Sequence, residues 1–274
     1  MATPIGNAGD LSPRALAALL DADLVLCEDT RVTGRLLQLH GHRRRLVSYH
    51  EHNAARMRPV VLERLRAGAS VALTSDAGTP LVSDPGYKLV REAIEAGIEV
   101  LAVPGPSAAL AALTVSGLPT DRFMVGGFLP QNPSARRRAL AEFEALPATL
   151  VLFEAARRLP AALRELAAVL GPRPAAVARE LTKRFEEVRR GPLDELAAHY
   201  EAAGAPRGEV VVVIGQAEAG AGGAAIEDVA RKVDAELEAA LLDLPPSAAA
   251  ARVAASTGRP RREVYRRALE LKGG

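Results

Sequence analysis

The fold of this chain is decided by residues 70–80, Ser70-Val71-Ala72-Leu73-Thr74-Ser75-Asp76-Ala77-Gly78-Thr79-Pro80, where a short apolar run passes directly into a loop of small residues. Two further loops of this kind, Thr3–Asn7 and Val103–Ser107, precede segments with a helical pattern. In open α/β sheets, ligands bind beyond the carboxyl ends of parallel strands, where glycine lets backbone amides approach closely. The three loops therefore predict a ligand-binding rim along one edge of a parallel sheet.

Up to residue 116, short apolar runs alternate with segments of helical periodicity. The predicted strands are Leu24–Glu28, Leu46–Ser48, Ser70–Thr74 and Ile98–Val103. The predicted helices are Pro13–Leu20, Thr33–His40, Asn53–Ala67, Pro85–Ala96 and Pro106–Ser116. This alternation is typical of a parallel sheet covered by helices on both faces.

The break at Ser116–Thr120 divides the predicted α/β region into a first domain, residues 1–117, and a second, residues 118–216. Strands of the second domain are predicted near Phe123–Val125, Thr149–Phe153, Ala175–Glu180, Phe185–Arg190 and Glu209–Ile214. Two of these strands are close enough in sequence to form a hairpin.

Residues 217–225 consist mainly of glycine and alanine and predict a flexible linker. The chain beyond it, residues 226–274, is purely helical in pattern, with Ile226–Leu242 followed by Ser247–Ser256 and Arg261–Leu271. The last two helices are joined by a glycine-containing turn, which is typical of a helix-turn-helix module. A plain helical cap is the alternative interpretation.

The composition bounds the class of protein. The chain has 274 residues, a net charge of +2 and one cysteine, Cys27, which lies in an apolar run and is expected to be a buried strand thiol. Disulfides and thiolate metal clusters are therefore excluded. We find no apolar stretch near the roughly 20 residues that a membrane span requires, and no signal peptide, so a cytoplasmic protein without membrane association is expected.

Arginine supplies most of the 35 basic residues and is clustered along the chain. The clusters are Arg43–Arg45, Arg136–Arg138, Arg157-Arg158, Arg189-Arg190, Arg259 with Arg261-Arg262, and Arg266-Arg267. Because arginine binds phosphate through a planar fork and stacks on bases, such clusters are plausible RNA contacts. A solvated surface is the alternative for any one cluster, but together with the tail they favour a nucleic-acid partner.

Common signatures of other enzyme classes are absent from the sequence. There is no G-x-G-x-x-G, Walker A, H-E-x-x-H or G-x-S-x-G motif. The pair His50 and His52 has the spacing of zinc ligands, but the sequence offers no obvious further ligands to close such a site. No metal site is therefore predicted.

Eight sequence blocks carry a resemblance to a known family. They are Thr3–Asn7, Glu28–Arg31, Ser48–Asn53, Ser75–Gly86, Pro104–Ala108, Gly127–Pro130, Arg179–Lys183 and Arg207–Glu209. In this order they resemble the tetrapyrrole methylase superfamily, and in particular its branch that methylates the ribose 2′-oxygen of a cytidine in 16S rRNA. The resemblance extends from Thr3 to about residue 271 and includes the helical tail.

The resemblance implies two α/β domains with S-adenosyl-L-methionine folded into the cleft between them. It assigns the cofactor to Gly78, Thr79, Pro80, Val82, Pro106, Ser107, Phe153, Glu154, Leu181 and Gly208. Many relatives carry aspartate where Thr79 stands, and Gly78 and Pro80 could also be explained as a turn. The implied partners are 16S rRNA within the small ribosomal subunit and a second copy of the chain in a homodimer.

Methyl transfer to a ribose hydroxyl requires the 2′-oxygen to be held in line with the methyl group and its proton to be removed. His50 and Asp29 are the candidate bases on the predicted rim. Asp29 could instead cap the following helix, and a histidine pair on a loop could be a surface feature. Residues predicted to position RNA are Arg31, Tyr49, His52, Asn53, Lys183, Arg262 and Arg266.

Two other functions remain open from the sequence. One is a methyltransferase of the same fold that acts on a tetrapyrrole, against which the arginine clusters and the tail argue. The other is a helix-turn-helix protein that binds nucleic acid without catalysis, in which the rim loops would be inert.

The resemblance also raises a question about the first strand. Relatives begin with a short apolar strand before the Thr-Pro-Ile-Gly-Asn loop, whereas only Met1 and Ala2 precede it here. The sequence therefore predicts that the first sheet lacks most of one strand, which a misassigned start codon would explain.

Overall fold

The fold is given by a computed structural model that describes residues 1–82, 86–144, 146–216, 233–257 and 261–273. The chain divides into two compact units. One consists of Met1–Glu144 with Ala148–Gln216, and the other of Ala145–Pro147 with Ala217–Gly274. The predicted linker at 217–225 lies outside the described residues.

The larger unit begins with a three-stranded parallel sheet in the order β2-β1-β3. Its strands are β1 (Leu24–Cys27), β2 (Val47–Ser48) and β3 (Val71–Thr74). The helices of this region are α1 (Pro13–Asp21), α2 (Thr30–Leu39), α3 (Glu51–Arg66), α4 (Tyr87–Glu95) and α5 (Ala108–Ser116). The predicted parallel sheet is thereby confirmed.

Strand β1 is buried on both faces of this sheet. Successive side chains of a strand point to opposite faces, and here Leu26 packs in a core with Val61 of α3 and Leu89 of α4. Val25 packs in a second core with residues of α1 and α2. Cys27 is buried and its pKa is raised by desolvation, as expected for a structural thiol.

The prediction of a strand over Ile98–Val103 is wrong. A ladder needs repeated backbone bonds, but the one described bond between this segment and the start of the chain runs from Ala2 N to Val103 O, at 3.1 Å. The neighbouring carbonyl of Ala102 accepts a bond from the Arg14 guanidinium instead. The backbone of Thr3 pairs instead with that of Gly78, and the two residues form an isolated antiparallel bridge.

A five-stranded mixed sheet follows, in the order β4-β5-β8-β6-β7. Its strands are β4 (Phe123–Phe128), β5 (Thr149–Ala155), β6 (Pro174–Arg179), β7 (Glu187–Pro192) and β8 (Glu209–Ile214). Among the described residues of this sheet, only β4 and β5 pair in parallel, and β6 and β7 form the predicted hairpin. The α-helices of this region are α6 (Pro133–Glu144), α7 (Leu159–Leu170) and α8 (Leu193–Ala203).

Helix α5 belongs to the core of the second sheet. Its residues Ala109, Ala112 and Leu113 are buried together with Val151 of β5 and Val213 of β8. The loop that leads into α5 is therefore fixed beside the second sheet, although in sequence it follows the strands and helices of the first sheet. This packing brings loops from both sheets to one place.

The smaller unit has its own apolar core. It contains α9 (residues 233–243), α10 (Pro246–Thr257) and α11 (Arg261–Gly273). Leu237, Val253 and Val264, one from each helix, are almost fully buried. No helix in the described part of the chain has the length and apolar character that would let it cross a membrane.

Two glycine substitutions test the packing of the larger unit, and we expect them to change its stability in opposite directions. A Cβ on Gly126 would lie 2.7 Å from Leu152 Cδ2 and 3.0 Å from Phe143 Cζ, so Gly126→Ala should lower stability by about 1–3 kcal/mol. A Cβ on Gly34, inside α2, would make an ordinary 3.7 Å contact with Leu46. Gly34→Ala should therefore raise stability by about 0.5–1 kcal/mol. Thermal unfolding measures both, and a Gly126→Ala protein as stable as the parent would contradict the described packing.

Candidate active-site cleft

A cleft of about 740 Å³ opens in the larger unit where loops from both sheets converge. It is lined by the loop after β3, the start of α5, the carboxyl ends of β4 and β5, and the loops that follow β6 and precede β8. Eight of the residues predicted to bind the cofactor line this cleft, namely Gly78, Thr79, Val82, Ser107, Phe153, Glu154, Leu181 and Gly208.

Gly78 holds the first wall of the cleft in a conformation that favours glycine. Its φ is +76°, in the left-handed region. Its carbonyl accepts a bond from Thr3 N at 2.9 Å, and its N–H donates to Thr3 O at 3.0 Å. The Thr79 hydroxyl donates to the carbonyl of Pro106 at 3.2 Å, which ties the second loop to the third. Pro80 and Pro106 do not line the cleft and act at most through these loops.

The opposite wall is strained around Leu181. The flanking residues Glu180 and Thr182 have φ values of +51° and +65°, which non-glycine residues seldom adopt and which cluster at functional sites. The Glu180 carboxylate accepts bonds from Glu209 N at 3.0 Å and Lys183 Nζ at 2.8 Å. Gly208 has a φ of +95° and passes so close that a Cβ would lie 2.4 Å from Glu180 Cδ. Leu181 is thus fixed by bonds on both sides of it.

Lys183, predicted to contact RNA, is neutralised within the protein. Its ammonium donates to Glu180 at 2.8 Å and to Glu209 at 2.7 Å. Partial burial lowers the pKa of Lys183, but these two carboxylates outweigh it and raise the pKa above its ordinary value. Lys183 therefore holds the loops on this side of the cleft together.

Glu154 gives the cleft a polar anchor. It is 5% exposed, and its Oε1 accepts bonds from Ala155 N and Arg158 Nε, both at 2.7 Å. Its Oε2 is buried and receives no hydrogen bond from any described residue, with Arg136 Nη2 as far as 4.0 Å away. Buried polar atoms are normally paired, so this oxygen is suited to a donor on a ligand. Small-molecule sites typically measure about 300–1,000 Å³, and the volume of the cleft falls within this range.

A second cavity, of about 430 Å³, lies at the carboxyl ends of the three parallel strands. Residues from the ends of β1, β2 and β3 line it, namely Glu28, Asp29, Thr30, Ser48, His50, His52 and Asp76. Asp76 is followed directly by Ala77, which lines the cleft. The structure thus brings together His50, His52 and Asp29 of the predicted rim and places them beside the cleft.

Asp29 is a helix cap rather than a free base. Its Oδ1 accepts a bond from Arg31 N at 2.8 Å, which caps α2, and another from Arg31 Nε at 3.0 Å. The Arg31 guanidinium and these N–H groups lower the pKa of Asp29 to about 2. A carboxylate with so low a pKa is a poor proton acceptor at neutral pH. The same pairing occupies Arg31, which was predicted to bind RNA.

Two other predicted RNA contacts are used inside the protein. Tyr49 is 1% exposed and packs in the core with Leu26 and Val61, so it is inaccessible to RNA. The side chain of Asn53 accepts a bond from His50 N and donates to Ser48 O, each at 2.9 Å. Asn53 therefore fixes the corner between β2 and α3, where the sequence had suggested a direct role.

The tail presents arginine on the surface of α11. Arg262 and Arg266 are exposed, and we find no ion pair for either among the described residues. Arg267 differs because it pairs with Asp234 and Glu270 at 2.8 and 2.9 Å. Arg262 and Arg266 thus remain available to a polyanion.

Several lining residues of the cleft were missed in the sequence. They include Ile5, Ala77, Phe128 and Arg157. Phe128 lies in the Gly127–Pro130 block and Ile5 in the Thr3–Asn7 block, so the motifs marked both positions without assigning them a role. Glu28, which lines the second cavity described above, was placed on the predicted rim together with Asp29, as a functional group or a helix cap.

Two family models match the chain. Residues 2–197 match the tetrapyrrole (corrin/porphyrin) methylases, and residues 227–272 match the RsmI C-terminal HTH domain. The second match covers most of the described α9–α11.

Similar proteins agree with these matches. A Mesorhizobium japonicum protein named ribosomal RNA small subunit methyltransferase I is 52% identical over 273 residues, which is 99% of this chain and 91% of the relative. A Xylella fastidiosa protein of the same name is 46% identical over 97% of this chain and 96% of the relative. The crystal structure of uroporphyrin-III C-methyltransferase from Thermus thermophilus with S-adenosyl homocysteine is 24% identical over 77% of this chain and 94% of that chain, with a TM-score of 0.52.

Proposed function

The chain belongs to the tetrapyrrole methylase family, and from that premise we propose that it methylates the ribose 2′-oxygen of a cytidine in 16S rRNA, with S-adenosyl-L-methionine as cofactor. The observation that carries the proposal is the cleft between the two sheets, whose lining includes eight of the residues that the family resemblance assigns to the cofactor. The names of the two relatives, both small-subunit rRNA methyltransferases, support the RNA substrate.

S-adenosyl-L-methionine supplies an electrophilic methyl group on a sulfonium. We infer that the Gly78 loop and the start of α5 at Ser107 hold it through backbone groups, while Phe153 and Leu181 provide apolar contacts. The buried Oε2 of Glu154 would accept a hydrogen bond from it. These residues exclude water and fix the direction of the methyl group, which an in-line displacement requires.

The tail favours RNA over a tetrapyrrole as substrate. Its match to the RsmI C-terminal HTH domain lies outside the tetrapyrrole methylase match, and α11 exposes Arg262 and Arg266. Arginine forks suit phosphate oxygens, and backbone contacts of this kind provide much of the affinity for nucleic acid.

The proposal is tested by transfer of tritium from labelled cofactor to small ribosomal subunits purified from cells that lack this methyltransferase. We expect incorporation into 16S rRNA and, after digestion, label in 2′-O-methylcytidine. Label on a cytosine base, or transfer to a precorrin-type tetrapyrrole and none to the subunit, would overturn it.

We further propose that the chain forms a homodimer. Strand β4 is at the edge of its sheet, and its residues Phe123 and Met124 are 43% and 37% exposed. An exposed apolar edge strand is a liability unless it is covered, and a second copy would cover it. Light scattering after gel filtration should give twice the chain mass for the parent and a monomer for Met124→Arg. A parent that is monomeric at micromolar concentration would refute this assignment.

A further inference from the structure

The second cavity holds two polar groups that no described residue satisfies. No hydrogen bond or ion pair to the Glu28 carboxylate is found among the described residues. The Nδ1 atom of His50 is buried and likewise lacks a partner among them. Both side chains line the same cavity, at the ends of the adjacent strands β1 and β2.

The other carboxylates of this cavity are already engaged. Asp29 caps α2 and binds Arg31. Asp76 accepts a bond from Asp29 N at 2.9 Å, which holds it as a structural acceptor between the strand ends. Among the described lining residues, Glu28 is thus the one carboxylate with both oxygens free for a substrate.

We propose that Glu28 is the general base of the transfer, and that the cavity between Glu28, His50 and Asp76 receives the ribose of the target nucleotide. This inference rests on the proposed function. The cavity is suited to this role because Asp76 borders it and the next residue, Ala77, borders the cofactor cleft.

The step balances without a further reactant. The proton of the 2′-hydroxyl moves to a Glu28 oxygen, and the electron pair of the 2′-oxygen forms the new bond to the methyl carbon. The bond between that carbon and sulfur breaks, and its electrons stay on sulfur. The products are the 2′-O-methyl ribose, S-adenosylhomocysteine and a proton on Glu28.

The surroundings of Glu28 make it a better base than Asp29. Burial raises the pKa of Glu28 above its ordinary value, and the negative charges of Asp76 and Asp29 raise it further, while His50 opposes them. A carboxylate with a raised pKa accepts a proton more readily than one with a lowered pKa such as Asp29.

The test compares Glu28→Gln with Glu51→Gln in the full-length protein. Glu51 is exposed at the start of α3 and lies outside the cavity lining, so its substitution removes the same charge nearby. In single-turnover assays on small ribosomal subunits, Glu28→Gln should slow methylation about 100- to 10,000-fold, with little change in cofactor or subunit affinity. Glu51→Gln should remain as active as the parent.

The pH dependence gives a readout that a purely structural role would not produce. The parent rate should fall as pH drops through the pKa of Glu28, and Asp76→Asn should move this fall to lower pH because it removes a neighbouring negative charge. Carbon NMR titration of the Glu28 carboxyl should be done on the parent and on Asp76→Asn, each without RNA. The pKa of Glu28 in each protein should match the pH at which that protein's rate falls.

Three outcomes would overturn the assignment. The first is a Glu28→Gln protein that methylates at the parent's rate, and the second is a loss of methylation that occurs in His50→Gln but not in Glu28→Gln. The third is a Glu28 carboxyl that titrates at or below the ordinary value of 4.5. An inactive parent would instead count against the proposed function, and the NMR titration would still test Glu28.

Discussion

Replacing Gly78 with valine is expected to abolish binding of S-adenosyl-L-methionine while the protein remains folded. A left-handed backbone costs a β-branched residue about 1–3 kcal/mol, and its Cβ would lie 3.4 Å from Ile5 Cγ2 in the cleft wall. Further methyl groups would occupy the space that the cofactor needs, or the loop would break its bridge to Thr3. We expect calorimetry to show a Kd raised more than about 100-fold, equivalent to roughly 2.8 kcal/mol.

Gly97→Val is the matched control for this prediction. Gly97 has a φ of +73°, nearly that of Gly78, and a Cβ there would meet nothing within 4 Å. Both variants should lose comparable thermal stability, but Gly97→Val should bind the cofactor like the parent. Normal affinity in a folded Gly78→Val protein would remove Gly78 from the cofactor site. Gly78→Ala should give an intermediate affinity.

The rim of the first sheet could be predicted because local rules determine it. An apolar run that ends in Ser75–Pro80 specifies both a strand and a glycine turn, and the structure has both at these positions. The predicted strand over Ile98–Val103 failed because strand formation depends on a partner. The chain next to this segment, Met1–Thr3, offers only one described ladder bond to it.

The roles of individual side chains were harder to predict, because they depend on contacts between distant residues. Asp29 and Glu28 are adjacent and chemically alike, yet Arg31 captures Asp29 and the folded strand ends leave Glu28 free. Tyr49 lies in a polar motif, but directly after β2 its ring is buried in the core. Sequence identifies which loops meet at the site, whereas the pairing of side chains decides which of them can react.

Replacing Arg262 and Arg266 together with alanine is expected to weaken binding to small ribosomal subunits without changing cofactor affinity. Both side chains are exposed on α11 and free of ion pairs among the described residues. If each contacts one phosphate, the slope of log affinity against log salt should fall by about two. Filter binding at several salt concentrations measures this slope, and calorimetry measures cofactor binding.

The matched control removes the same charge from exposed side chains on another helix. Arg64 and Arg66 lie in the last turn of α3, and their double alanine variant has the same net charge as the tail variant. Because a general loss of positive charge would weaken both variants equally, only a larger effect of the Arg262 and Arg266 change supports specific phosphate contacts. Equal salt slopes for the two variants would show that α11 contributes no more than long-range attraction. A weaker cofactor affinity in the tail variant would contradict the separation of RNA binding from the cleft.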